Sequence, residues 1–339
     1  MTDTSLPFRT RVSAGIDRFG GVLLLPVALA AIALLLIGQP STWATLTIAG
    51  LAMGMMIFLM ASGLSLIFGL MDVLNFGHSA FVTAGAFIGA TVLGWLGFWV
   101  TGGNPGLNLM GLLIAIAVAT IFGGLAGWFF ERVVIKPVYQ DHLRQILITV
   151  GALIVAEELI LLIWGGAPIP VPRPAVLTGS LVFAGVSVEI YRIFAFALGL
   201  LVYVAMYILL NRTRLGLLIR AGVENREMVE ALGFRIDRLF ILVFMAGSAL
   251  AAMGGAMWAG YQGLITAALG SEMMILVFIV VIIGGLGSIQ GSLLGAILVG
   301  LMANYVAFLA PKLALASNMV LMMIILLWRP YGLLPAVKR

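Results

Sequence analysis

The side chains best equipped for chemistry are few, and they stand where polarity is expensive. Glu157 and Glu158 are adjacent carboxylates near the middle of an apolar segment at 146–164. An ionised side chain at mid-membrane costs roughly 3 kcal/mol or more. Neighbouring helical positions lie about 100° apart, so at least one of the two must face protein or water. Such a pair can line a polar path, relay protons or form a paired structural site, and a path-lining or structural role is favoured over proton coupling. A second group, Asp72, Asn75 and His78, sits in the segment 63–79. A third, Gln290, lies among the glycines and serines of 284–292. Gly69 and Gly77 are expected to loosen the backbone and free its amides and carbonyls, as interrupted spans do at gates and substrate sites. Asn75, His78, Glu157, Glu158 and Gln290 are therefore the candidates for a translocation path or gate. A plain helix-to-helix turn explains the polarity of both glycine segments equally well.

Other chemistry has no residues to carry it. With no cysteine there is no disulfide, thiolate nucleophile or cysteine-held metal. The two histidines, His78 and His142, are too far apart in sequence and context to suggest a metal site. No Gly-x-x-x-x-Gly-Lys-Ser/Thr phosphate loop occurs, so no nucleotide is bound by that route, and neither cofactor nor metal is expected. No nucleophile–base pair converges in sequence, which disfavours a membrane enzyme.

The elements that position these groups follow from charge. Of 339 residues, 63% are hydrophobic and 9% charged, and the mean hydropathy is +1.21. Asp, Glu, Lys and Arg are absent from 19–71, 73–130, 239–271 and 273–311. Each run exceeds the roughly 20 residues a helix needs to cross a bilayer. The expected fold is an all-α polytopic membrane protein with apolar segments at about 21–38, 43–62, 79–100, 109–130, 146–164, 193–210, 239–260, 272–286, 290–310 and 314–328. That gives about ten spans, with eight also possible. Ala28-Leu29-Ala30 resembles a signal-cleavage triplet, but the apolar run continues past it, so the first span is read as uncleaved. Pro168, Pro170, Pro172 and Pro174 and the alternating valines 182, 186 and 188 indicate an extended outer loop.

Charge also orients the chain. Fifteen of the 18 Lys and Arg residues fall in 1–20, 131–145, 211–238 and 329–339, leaving Arg173, Arg192 and Lys312 on the other side. Under the positive-inside rule both termini are cytoplasmic and the number of spans is even. The organisation is then a cytoplasmic segment 1–20, a transmembrane domain 21–328 and a cytoplasmic tail 329–339. The basic pI near 9.8 reports this orientation rather than a nucleic-acid partner. Asn211-Arg212-Thr213 fits a glycosylation triplet but falls on the cytoplasmic side. Gly-x-x-x-Gly spacings occur at 50/54, 85/89, 102/106, 123/127, 287/291 and 291/295, against about five expected by chance, so none identifies a helix interface.

One cytoplasmic segment stands out. In 211–238, six arginines accompany four acids. Ala221, Asn225, Met228 and Leu232 share one helical face, Arg220–Glu224 and Arg226–Glu230 are i,i+4 pairs, and Gly233 is a natural stop. The spacing predicts a helix of about a dozen residues, 221–232, that can dock in a partner's groove. An ordinary solvated loop is the alternative.

Taken together, these segments resemble a known family. Gly63-Leu-Ser-Leu-Ile-Phe-Gly-Leu-Met-Asp-Val-Leu-Asn-Phe-Gly-His78, Arg212-Thr-Arg-Leu-Gly216 with Arg220-Ala221, Asn225 and Ala231-Leu-Gly233, and Gly284-Gly-Leu-Gly-Ser-Ile-Gln-Gly-Ser-Leu-Leu-Gly295 are similar, in that order, to LivH-type permeases of branched-chain amino acid ABC importers. The ending Arg329-Pro-Tyr-Gly332 is family-like too, whereas Ser79 and Glu157-Glu158 depart from the pattern. The resemblance implies a multi-pass protein of the bacterial inner membrane that pairs with a LivM-like second permease. It also implies two ABC ATPase subunits (LivG-like and LivF-like) and a periplasmic substrate-binding protein. Arg220, Ala221, Glu224, Asn225, Met228, Leu232 and Gly233 then form the ATPase coupling loop. The rival function is an autonomous ion-coupled transporter or channel using Glu157 or Glu158.

Overall fold

The computed structural model describes residues 8–73, 75–139, 141–224, 226–233 and 235–335, with side chains placed except at 8–20, 220, 223, 224, 226 and 227. The described chain is helical almost throughout: α1 (Phe8–Ile37), α2 (Pro40–Met71), α3 (His78–Trp95), α4 (Gly97–Thr101), α5 (Pro105–Phe130), α6 (His142–Trp164), α7 (Ile190–Arg212), α8 (Arg214–Glu224), α9 (Arg226–Ala231), α10 (Ile236–Gln262), α11 (Leu269–Gly284), α12 (Ile289–Leu309) and α13 (Ala314–Trp328). Eight helical stretches are long and apolar enough to cross a membrane, and two shorter ones, Gly21–Ile37 and Leu269–Gly284, complete the ten apolar segments read from the sequence. Both counts are even, as the charge distribution requires with both termini cytoplasmic.

The expected extended outer region is built from short strands. β1 (Ile169–Pro170) pairs antiparallel with β4 (Leu264–Ile265), while β2 (Ser180–Phe183) and β3 (Val186–Glu189) form a hairpin. Prolines block helix propagation here. Pairing with the residues after α10 satisfies backbone groups that a free loop would leave to water.

At the centre runs α2, buried almost continuously from Ala49 to Ile67. Its 32 residues span about 48 Å, longer than the roughly 30 Å hydrocarbon layer, so its end projects past the membrane core. Close approach to its neighbours depends on glycine. A Cβ on Gly54 would lie 2.7 Å from the Ala296 carbonyl oxygen of α12, and one on Gly63 would strike the Gly247 carbonyl of α10. Gly69 therefore does not loosen the chain as the sequence suggested, and neither it nor Gly63 breaks the helix. They let α2 continue unbroken to Met71, because the entropic cost of a helical glycine, about 1 kcal/mol, is offset by close packing. The break comes at Asp72, which adopts a left-handed conformation (φ 52°) and donates its N–H to Phe68 O. The glycine spacings that counting could not distinguish from chance differ in fact. The pairs at 50/54, 85/89, 123/127 and 291/295 lie in helix contacts, whereas Gly102 and Gly106 meet only atoms of their own local turn.

The flanking helices are held by polar stitches. Trp43 Nε1–H donates to the Ala30 carbonyl (2.8 Å), and the Thr47 and Tyr305 hydroxyls lie 2.7 Å apart, tying α1 to α2 and α12. By contrast α6 and α13 leave most of their surface outside the bundle.

Candidate functional site

Three segments that are distant in sequence meet at the cytoplasmic end. The end of α2 meets the glycine turn before α12, where a Cβ on Gly69 would sit 2.6 Å from Gly287 Cα. One helical turn deeper the Ser65 and Ser292 hydroxyls are 2.5 Å apart. Gly285 (φ 100°) and Gly287 (φ 78°) take conformations that favour glycine. On the far side of this turn lies the C-terminal strap. Leu333 N–H donates to Ile283 O (2.8 Å) and Leu334 N–H to Gly284 O (2.9 Å), and Gly332 packs against the Gly285 backbone. The strap thus prolongs the backbone hydrogen bonding past the end of α11.

The charged segment 211–238 docks beside this junction. It forms two helices, α8 and α9, rather than the single helix predicted over 221–232. The first begins earlier because Thr213 Oγ1 accepts the Gly216 N–H (3.3 Å), an N-cap that the charge pattern did not signal. Ile219 of α8 is buried with Leu66 of α2 and Val243 of α10, and Leu70, Met71, Leu239 and Ile289 pack around them. One apolar cluster therefore joins the cytoplasmic helix to α2, α10 and the glycine turn. On the outward side Met228 and Leu232 are 59% and 69% exposed, while Val229 between them is buried. Ala221 is half-buried, and Gly233 ends the segment at φ 85°. Asn225 and the side chains of Arg220 and Glu224 lie outside the described residues.

Burial separates the path candidates. Asn75 and His78 are fully buried. His78 Nε2–H donates to Met60 O (2.9 Å), fastening the start of α3 to α2. Neither amide atom of Asn75 has a hydrogen-bond partner among the described residues. Gln290, in the first turn of α12, is exposed. Glu157 and Glu158 point differently, as adjacent helical positions must: Glu158 is exposed, while Glu157 is half-buried with Oε1 shielded and without a hydrogen-bond partner.

The base of α6 connects these carboxylates to the Asn75 segment. Thr149 Oγ1 accepts the Phe76 N–H (3.3 Å) and donates to Gln145 O (2.7 Å). Gln145 Nε2 donates in turn to the carbonyls of Val138 (3.1 Å) and Tyr139 (2.9 Å). The basic residues of 131–145 carry no sequence signal for this network. Here α5 runs on into a π-helical turn, Glu131–Ile135, whose Glu131 is buried and accepts the Tyr139 hydroxyl (2.6 Å). Asp141 caps α6, accepting the Arg144 N–H (3.1 Å). An acid three residues before Arg144 was the available signal for that helix start. At the outer end Arg173 and Arg192, which in sequence mark only the side of the membrane, both meet Tyr261. The Arg173 guanidinium donates to the Tyr261 carbonyl, and the Arg192 guanidinium stands 5.7 Å from the Tyr261 ring centre while facing Glu189.

Residues 46–328 match the family model described as branched-chain amino acid transport system / permease component. The chain belongs to that permease family. It is 28% identical to the high-affinity branched-chain amino acid transport system permease protein BraD of Pseudomonas aeruginosa, over 86% of this chain and 95% of the relative. To LivH of Escherichia coli K12 it is 26% identical, again over 86% of this chain and 95% of the relative. A solved ABC transporter in an inward-facing conformation shares 21% identity, covering 93% of this chain and 99% of that one, with a TM-score of 0.48. The matched region of this permease contains α2, α6, α8, α9 and the glycine turn. As a permease component it is a multi-pass membrane protein.

Proposed function

We propose that this permease carries branched-chain or chemically related amino acids inward by alternating access, as one subunit of an ATP-driven importer. A periplasmic binding protein delivers the solute, a LivM-like permease supplies the other half of the path, and LivG-like and LivF-like ATPases supply the energy. The observation that carries this reading is the Ile219 cluster, through which one cytoplasmic element packs at once on α2, α10 and the turn before α12. A push on α8 and α9 by closing ATPases is relayed to three membrane helices together, which is what reorienting a path requires. Met228 and Leu232, exposed on the same segment, are the docking side chains, with Ala221, Asn225, Arg220, Glu224 and Gly233 completing the coupling loop.

The path runs along α6 at the face shared with the second permease. Support comes from the mid-helix position of Glu158 on a surface that the bundle leaves uncovered, because lipid is a costly environment for it. Asn75 and His78 act as a buried pivot between α2 and α3, and the hydrogen bond from Phe76 to Thr149 links that pivot to α6. Gln290 marks the cytoplasmic gate.

Reconstituting the permease with its partners in proteoliposomes tests the substrate class. Leucine, isoleucine and valine should be taken up and should compete with one another, whereas urea and short amides should not compete. Competition by amides at equal concentration, with no uptake of the branched amino acids, would reassign the substrate.

A further inference from the structure

We infer that the junction of α8, α9 and α10 holds an anionic phospholipid of the cytoplasmic leaflet. An open cleft of about 150 Å³ lies there, walled by Leu218 of α8, Val229 of α9, and Leu239 and Leu242 of α10, with Arg235 and Arg238 on its rim. Its position matches its chemistry. Arg235, Arg238 or Leu239, and Leu242 fall on one stripe of α10 at helical spacing. Arg238 is the last charged residue before the uncharged run 239–271, which places its guanidinium at headgroup depth. Leu242, exposed and one turn further in, is at the depth of the first acyl carbons. Both arginines are exposed, so a phosphate can reach them without burying an unpaired charge. The nearest acid on the same turn, Asp237, faces Lys136 at 3.6 Å and so does not oppose an anion at the rim. A basic rim above an apolar floor is complementary to a lipid phosphate and its chain, and basic pockets between membrane helices on the cytoplasmic side recognise such headgroups. A soluble anion would leave the leucines wet, and a neutral lipid would leave the arginines unmatched. Since Ile236 and Leu239 flank the α8 contact, an occupied cleft braces the same helices that relay ATPase motion.

The test uses the assembled transporter in nanodiscs of equal parts phosphatidylethanolamine and phosphatidylglycerol, with retained lipids counted by native mass spectrometry. The unmodified assembly should retain phosphatidylglycerol preferentially. Arg235→Gln with Arg238→Gln should lower that preference roughly twenty- to thirtyfold, at about fivefold per arginine near an anionic surface. Arg144→Gln, another exposed cytoplasmic arginine, should leave it unchanged. Equal lipid retention in the double variant, or equal loss in Arg144→Gln, would overturn the assignment. So would retained phosphatidylglycerol together with loss of the ATPase subunits, which would make the cleft a protein-docking site instead.

Discussion

Replacing Met228 and Leu232 together by aspartate is expected to disconnect ATP hydrolysis from uptake while leaving the permease inserted and folded. Both side chains are more than half exposed on the cytoplasmic segment, whereas Val229 and Ile219, which hold that segment to the bundle, are untouched. Burying a Met or Leu side chain against a partner contributes about 1.5–3 kcal/mol. Losing both, and placing two carboxylates in the contact, weakens association roughly a hundredfold or more at about 1.4 kcal/mol per tenfold. Co-purification of the ATPase subunits and their stimulation by loaded binding protein should both collapse. Full stimulation in the double variant would mean that the segment is a solvated loop and that coupling occurs elsewhere. Glu224→Ala and Arg220→Ala should reduce the same stimulation less, because each removes one charge and less apolar surface.

A second large effect is expected from Gly69→Val. The added Cβ would lie 2.6 Å from Gly287 Cα and 2.8 Å from Gly287 O, both backbone atoms that no side-chain rotation can move aside. Either α2 or the glycine turn must shift, and the strap hydrogen-bonded behind that turn resists. Overpacking of this kind costs about 1–3 kcal/mol, and a rigid backbone on both sides favours the upper end. The yield of folded permease and its thermal midpoint should fall, and transport should be lost. Gly94→Val is the matched control, since a Cβ there meets nothing within 4 Å. Equal behaviour of the two variants would show that α2 and the turn are not packed as described.

The residues that were legible in the sequence are those whose signal is one-dimensional. Apolar runs located the ten apolar helices, because lipid imposes that constraint on the chain segment by segment. What was illegible depends on partners far along the chain. Gly69 reads as a helix breaker until Gly287 lies against it, and Ser65 reads as an isolated hydroxyl until Ser292 meets it. The spacing of Ala221, Asn225, Met228 and Leu232 and the i,i+4 charge pairs place a helix in 211–238 but describe only its local faces. Its attachment through Ile219 is a tertiary contact, and its true start is set by Thr213. Glu157 and Glu158 were recognised as costly, yet the sequence could not say that the bundle shields one and leaves the other exposed.

Uptake by proteoliposomes containing the permease and its partners, with ATP either enclosed with the ATPases or omitted, tests the proposed function most directly. Labelled leucine presented with the binding protein should accumulate only with ATP. Collapse of the proton and sodium gradients should leave the rate unchanged, as should Glu157→Gln. Accumulation by the purified permease alone, driven by an ion gradient and abolished by Glu157→Gln or Glu158→Gln, would contradict it.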